Sequence, residues 1–341
     1  MDKFALLPAS EKVAYFEAAA ADRSISPDVV EKDFWVCWVL KQIFLLEGIG
    51  SHLTFKGGTS LSKCYNAIQR FSEDIDISIE RKFLEQGKSI EPSLNESNTE
   101  NKRRIEELMA LAQAAIHQRI LPQLRQRLGD VLRDKGGWSI DPDPDDALGQ
   151  TLLFVFPVAV TKSVNEYIRP VVKIELGARA DHWPAELVEI TPYVGGVLRD
   201  ALVAQPVMVK ALSAERTFWE KAMILHRLYH SPDDKAISRR MSRHYYDLYA
   251  MGQVGIFENA LPQVALMKSV VDFNRLFFRY AWLDYDKAKR GSFHLVPKGE
   301  ERLQNLKTDY RQMFPMFFSD PPTFDQIVAG LQKMEECINR V

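Results

Sequence analysis

Apolar positions along the chain follow two rhythms. Over the first 205 residues helical spacing alternates with strand-like alternation; after Pro206 the helical spacing takes over. Helices are predicted at 10–24 and 28–47. In the second, Val30, Phe34, Val36, Trp38, Leu40, Ile43 and Phe44 leave few polar positions, so it is expected to be buried on most sides. Leu53 to Lys56 reads as a short strand ending at Gly57-Gly58. A helix is expected from Thr59 or Ser60, both good N-caps, with Leu61, Cys64, Tyr65 and Ile68 at i, i+3, i+4, i+7. Ser72 to Glu80 reads as a second strand and 81–100, rich in Pro, Ser and Asn, as a loop. One or two helices follow over 101–133, interrupted near Pro122, and then a second loop dense in Asp and Pro at 138–150. Strands are predicted at 151–162, 168–178 and 186–191, and helices at 213–230, 235–252, 256–284 and 323–340. The expected class is α+β. A mixed lobe over 1–205, with N-terminal helices and a helical insertion near 101–135, precedes a helical lobe over 206–341.

A length of 341 residues suits one large domain or two ordinary ones, and 46% hydrophobic residues supply the core. The net charge is −2, which excludes a global basic field; any contact with nucleic acid must use a local patch. Cys37, Cys64 and Cys337 are odd in number and form no CxxC pair, which excludes a disulfide framework and a cysteine zinc site. No signal peptide is read, and the longest apolar run, Phe34 to Leu40, is far too short to span a bilayer. The expectation is a cytoplasmic protein with no membrane partner.

Chemistry concentrates at Ser72-Glu73-Asp74-Ile75-Asp76-Ile77-Ser78-Ile79-Glu80. In a strand Ile75, Ile77 and Ile79 point into a core while Asp74, Asp76, Ser78 and Glu80 share the other face. Two carboxylates at i and i+2 lie about 6–7 Å apart at the backbone and can converge on a hard divalent cation such as Mg²⁺. The plain alternative is the solvated face of an edge strand. Gly57-Gly58-Thr59-Ser60, between a strand and a helix, lets the backbone approach a ligand and offers unpaired N–H groups to an anion, with Lys56 and Lys63 nearby. Alone it is an ordinary turn; with an Asp-x-Asp strand following, it becomes a phosphate seat beside a metal site.

Gly57-Gly58-Thr59-Ser60-Leu61-Ser62-Lys63, followed by Arg70-Phe71-Ser72-Glu73-Asp74-Ile75-Asp76, resembles the signature of the AbiEii/AbiGii-type toxins. These are nucleotidyltransferases of the DNA polymerase β-like superfamily and include the mycobacterial MenT enzymes. Val172-Lys173-Ile174-Glu175 is similar to the family's basic-hydrophobic-acidic strand. Glu215 and Lys221 on one helix, with Arg243-His244-Tyr245-Tyr246-Asp247 on the next, are similar to its last two motifs. The resemblance spans about residues 30 to 250. It implies a polymerase β-like mixed sheet flanked by helices. It also implies a metal on Asp74 and Asp76, Mg²⁺ or Mn²⁺ in its place, and nucleotide phosphates on Gly57, Gly58, Thr59, Ser60, Lys63 and Lys173. Lys221 would neutralise the triphosphate, and Asp247 would orient Lys221 or the substrate.

The same residues have plainer readings. Lys173 and Glu175 share a strand face, so Glu175 is either a third carboxylate or half of a salt bridge. Lys221, one position off the stripe Phe218, Ala222, Leu225 and Tyr229, could simply snorkel. Arg243 and Asp247, four apart on a helix, could pair with each other. Two basic clusters could meet an RNA backbone. Arg119, Arg125, Arg127, Arg133 and Lys135 are expected to be a solvated face. Lys235, Arg239, Arg240, Arg243 and His244, beside Asp247, are favoured as the acceptor-binding patch. Trp138, Trp183 and Phe293 are possible stacking platforms with burial as their commoner fate, and the histidines are given no role.

Together these features predict a metal-dependent nucleotidyltransferase, and the resemblance implies a toxin of a type IV-like, abortive-infection system with a cognate antitoxin. The family resemblance implies a nucleoside triphosphate donor such as CTP and the 3′ end of tRNA as acceptor. Two alternatives stay open: nucleotide transfer to a protein side chain, and a catalytically silent module that binds nucleotide or antitoxin.

Overall fold

The computed structural model describes residues 1–85, 90–133, 135–161, 169–198 and 206–340. The chain forms two compact units: Met1–Cys64, Phe71–Glu91 and Lys102–Leu212 make the first, and Tyr65–Arg70, Pro92–Asn101 and Ser213–Val341 the second. The boundary expected near 205 lies outside the described residues. Of the strands expected at 151–162 and 168–178, the first ends at Val155 and the second begins at Val171 and ends at Gly177.

The first unit is built on one seven-stranded sheet in the order β3-β4-β5-β2-β1-β7-β6. Its strands are β1 (Leu53–Lys56), β2 (Ile75–Ile79), β3 (Ser139–Pro142), β4 (Thr151–Val155), β5 (Val171–Gly177), β6 (Ala185–Ile190) and β7 (Val207–Leu212). The sheet is mixed: β1 with β7 and β2 with β5 run parallel, and the remaining pairs antiparallel. Ile75, Ile77 and Ile79 are buried, as the alternation predicts, and so are Val172, Ile174 and Leu176 on β5. Strand β7 corrects the expectation that helices begin at Pro206. Val207, Val209 and Ala211 alternate inward against β1 and β6, so the period-2 rhythm persists to Leu212. Strand β3 likewise replaces part of the loop expected at 138–150.

The unit's helices are α1 (Asp2–Ala5), α2 (Ala9–Arg23), α3 (Pro27–Phe44), α4 (Gly57–Lys63), α5 (Arg81–Leu84) and α7 (Leu121–Leu132), with α6 (Asn98–Ala115) running into it from the second unit's Pro92–Asn101. Pro27 opens α3 at its first turn, where a missing N–H costs nothing, and every residue from Asp28 to Leu40 is buried. Its charged residues are all engaged. Glu31 accepts the backbone N–H groups of Ala159 and Val160 at 2.7 and 2.9 Å, and Lys32 pairs with Glu73. Between α6 and α7 lies a π-turn, Ile116–Ile120. Pro122 brings no N–H to the ladder, and the wider turn absorbs the break just ahead of it.

The second unit is helical: α8 (Ala214–His230), α9 (Ser242–Gln253), α10 (Ile256–Ala260), α11 (Val264–Phe277), α12 (Glu300–Arg311) and α13 (Phe324–Asn339). Ser213 caps α8 by accepting the Arg216 N–H, and Thr323 with Gln326 forms a capping box on α13. Phe218, Ala222 and Leu225 form the buried stripe of α8. The helix expected over 235–252 begins only at Ser242, whose N–H and hydroxyl are both held by Asp309 of α12. The helix expected over 256–284 is two, α10 and α11. Helix α12 is strongly polar, with buried Leu306 and Tyr310 as its main anchors, and the apolar spacing does not predict it.

Candidate functional site

Two constellations carry the candidate residues, one in each unit. In the first unit the strand register sets a row of polar residues across the sheet. Lys56 on β1 is opposite Asp76 on β2, Asp76 is beside Glu175 on β5, and Glu175 is opposite Thr151 on β4. Asp74, two residues before Asp76, immediately precedes β2 on the same face. Burial, then the neighbouring charges of Glu73 and Glu175, push the Asp74 carboxyl above its usual range, against the weaker pull of Lys173 and Lys32.

Gly57 sits against this row. It adopts φ +79°, and a Cβ there would fall 1.9 Å from Asp76 Oδ2, so only glycine leaves the carboxylate its place. The helix starts at Gly57, two residues earlier than predicted, and ends at Lys63 instead of continuing to Ile68. Gly57 and Gly58 therefore form its first turn. Thr59, buried, donates its hydroxyl to the Asp74 carbonyl and lies 3.0 Å from the Ser72 hydroxyl, which fixes the start of β2. Ser60 Oγ is buried and has no hydrogen-bond partner among the described residues.

Two basic residues expected at the phosphate seat are paired with carboxylates. Lys63 forms a buried ion pair with Asp33 at 2.7 Å and lies 3.9 Å from the Tyr193 ring centre. Asp33 also accepts the Tyr193 N–H, so this lysine braces α3 against α4. Lys173 pairs with Glu175 at 2.8 Å on a surface where both are more than one-third exposed, the salt bridge that the strand spacing left open. Asp33 and Lys32, buried on the mostly apolar α3, and Glu73, the partner of Lys32 just ahead of β2, escape sequence reasoning, because no spacing marks such charges. Among the described residues no group of three His, Cys, Asp or Glu is arranged to hold a metal ion by itself. The donor set nonetheless suits Mg²⁺, which commonly takes one or two carboxylates and completes its shell with water and phosphate oxygens. The crowded Asp74 carboxyl is the kind of group that a cation relieves.

In the second unit Asp247 on α9 is fully buried. Arg70 grips it with two bonds, Nε to Oδ1 at 2.8 Å and Nη2 to Oδ2 at 2.9 Å, and Lys221 Nζ on α8 donates to Oδ2 at 2.8 Å. Burial alone would raise the Asp247 carboxyl; Arg70 and Lys221 overturn that and hold it well below the usual carboxylate range. For Lys221 the order reverses: burial, assisted by Arg70 and Arg243, outweighs Asp247 and lowers its affinity for its proton. Lys221 is thus buried and paired, not snorkelling, and Asp247 is taken by Arg70 and Lys221 in place of Arg243. Two cations on one carboxylate leave one positive charge over. Arg70 is part of the early motif, but only the fold brings it to α9.

Of the acceptor candidates, Arg239 and Arg240 are exposed and Arg243 half-buried. The Arg240 N–H is held by Asp309 at 2.7 Å while its residue takes φ 64°. The other basic cluster is largely spent on the first unit's own fold. Arg125 binds the Ile140 carbonyl, Arg127 binds Gln42, Lys135 binds the Leu6 and Leu7 carbonyls, and Arg119 lies over Phe83. Phe293 is buried; Trp183 stays exposed. The histidines are less incidental than expected: His226 and His230, four apart on α8, lie with ring centres 4.6 Å apart, and His294 stands beside both. His226 Nδ1 accepts the His294 N–H, so its Nε2 carries the proton and cannot ligate a metal.

A family described as the nucleotidyl transferase AbiEii toxin of type IV TA systems matches residues 38–330. No curated protein matches the chain. Among solved structures, the nucleotidyltransferase toxin MenT4 from Mycobacterium tuberculosis is 17% identical with a TM-score of 0.40, covering 98% of this chain and 100% of its own. JHP933 from Helicobacter pylori is 13% identical with a TM-score of 0.38, covering 91% and 90%. Among the described residues no helix is long and apolar enough to cross a membrane.

Proposed function

The chain belongs to the AbiEii family of nucleotidyltransferase toxins of type IV toxin–antitoxin systems, and on that premise we propose that it transfers a nucleotide from a nucleoside triphosphate to the 3′ end of an RNA, tRNA foremost. The observation that carries this reading is the close approach of Gly57 to Asp76 in the row Lys56, Asp76, Glu175, with Asp74 beside it. A backbone pressed onto a strand carboxylate at a helix start joins an anion seat to a cation seat within one unit.

Asp74 and Asp76 would hold Mg²⁺, with Mn²⁺ as a substitute. When bound, the ion supplies charge for the phosphates and acidity for the acceptor hydroxyl. The first-turn N–H groups of Gly57, Gly58 and Thr59 take phosphate oxygens, and the unpartnered Ser60 hydroxyl is assigned to the same cradle. Thr59 acts through its side chain as a positioning residue for Asp74. Glu175, fixed in place by Lys173, takes the proton of the attacking hydroxyl as the oxygen bonds to the α-phosphorus and pyrophosphate leaves. The spare charge of Arg70, Asp247 and Lys221 is assigned to phosphate oxygens, with Asp247 orienting Lys221. Arg239, Arg240 and Arg243 are assigned to the acceptor's backbone. A cognate antitoxin, as the family's type IV system implies, is the regulatory partner, and cytoplasmic RNA the target.

The test is incubation of the purified chain with each α-labelled nucleoside triphosphate, Mg²⁺ and total RNA. Label in RNA that disappears with Asp76→Ala supports the reading. Label that survives ribonuclease and runs with protein replaces the acceptor, and no label under any nucleotide overturns the transferase assignment.

A further inference from the structure

We propose that a hollow on the second unit, lined by Tyr280, Trp282, Arg227 and Lys235, seats one base and its phosphate from single-stranded RNA. The proposal rests on the RNA-acceptor reading above and adds to it a binding site. The hollow has a volume of about 130 Å³. That is well below the several hundred Å³ of a pocket that encloses a drug-sized ligand, a size suited to a single ring system. Its chemistry is that of a nucleotide seat. Tyr280 and Trp282 lie with ring centres 4.9 Å apart and planes at 36°, offering flat apolar surface. The Arg227 guanidinium stands 5.1 Å from the Tyr280 centre, and Lys235 Nζ stands 5.6 Å from Tyr280 and 5.7 Å from Trp282.

Both cations lie against the rings. No carboxylate lines the hollow, and among the described residues neither Arg227 nor Lys235 has an ion-pair partner. The adjacent Asp233 is turned to Lys298 and Arg302, at 3.5 and 3.4 Å. Two positive groups on one aromatic pair repel each other, and an anion between them removes that repulsion while a base covers the ring face. A duplex keeps its base faces stacked inside and cannot offer them, which selects a single strand. The seat also has a place on the acceptor's track. Arg227 follows Lys221 by six residues on α8, about 9 Å along the helix axis, and the exposed Arg239 and Arg240 follow Lys235.

The experiment measures anisotropy of a fluorescein-labelled ten-nucleotide single-stranded RNA with the full chain, without nucleoside triphosphate, over a range of salt concentrations. Trp282→Ala is expected to weaken binding about 5- to 100-fold, the effect of losing one stacked base. Trp282→Phe should stay within about threefold. Lys235→Ala should reduce the slope of log affinity against log salt by about 0.7, one phosphate contact on a single strand. Lys235 is exposed, so its variant reports even if Trp282→Ala fails to fold, which a melting curve shows. If both variants bind like wild type while wild type still labels RNA, or if the annealed duplex binds as tightly as the single strand, the seat is overturned and the transferase reading stands. If wild type binds no RNA and labels protein instead, both fall.

Discussion

The two charged centres of this protein are built on opposite accounts of charge. In the first unit Asp74 is crowded by Glu73 and Glu175, and burial makes its negative charge harder still to carry. In the second, Asp247 is more deeply buried yet firmly ionised, because Arg70 and Lys221 both bind it. The first centre has too much negative charge, the second too much positive. Each calls for a counter-charge of the opposite sign: the carboxylates for a cation, the guanidinium and ammonium for an anion. Burial by itself therefore does not set the charge state here; the partners packed against each carboxylate do.

The contrast can be broken hardest at Asp247. Asp247→Ala leaves Arg70 and Lys221 buried without a counter-charge and should cost about 3–5 kcal/mol, read from urea or thermal denaturation; a loss under about 1 kcal/mol would mean that water already compensates the pair. Next comes Asp76→Asn, expected to lower RNA labelling about 10²- to 10³-fold with the melting temperature unchanged or raised. Gly57→Ala tests the same carboxylate from the backbone side. The added carbon displaces Asp76, so labelling should fall at least 10-fold while far-ultraviolet circular dichroism keeps its wild-type shape.

Smaller still are the pH effects, whose signs oppose each other. Asp74 has a raised folded-state pKa, so its contribution favours the fold when protonated and is lost as pH rises through that value. Asp74→Asn should accordingly stabilise at neutral pH, by on the order of 0.5–1 kcal/mol, while abolishing activity. Asp247, with its pKa depressed, contributes stability above the ordinary carboxylate range that is lost as pH falls through and below it. Asp247→Asn should flatten the acid limb of the stability curve. Least of all, Lys173→Ala removes an exposed ion pair and should shift stability by less than about 1 kcal/mol.

Much of the fold was legible where its rhythm is strict. Ile75, Ile77 and Ile79 sit where alternation puts them, β1 has the expected ends, and Phe218, Ala222 and Leu225 line α8 as spaced. Strand β7 was lost because Pro206 and the helical pattern beyond it mask six alternating residues. Helix α12 was lost because so few of its side chains reach the core. At the candidate site the residue types were readable but not their partners. The grip of Arg70 on Asp247 joins positions 177 residues apart, and the Lys63–Asp33 pair joins α4 to α3; no local spacing encodes either. The register of β2 against β5, which decides that Asp76 stands beside Glu175, is a property of the assembled sheet.

Gly57 has one more consequence, for how such a gene decays. Any missense change of its codon sets a carbon where only a hydrogen fits, and the atoms that carbon meets first are those of the Asp76 side chain. Cultures forced to express the chain without its antidote should therefore yield survivors at this codon, carrying protein that is abundant, folded and harmless.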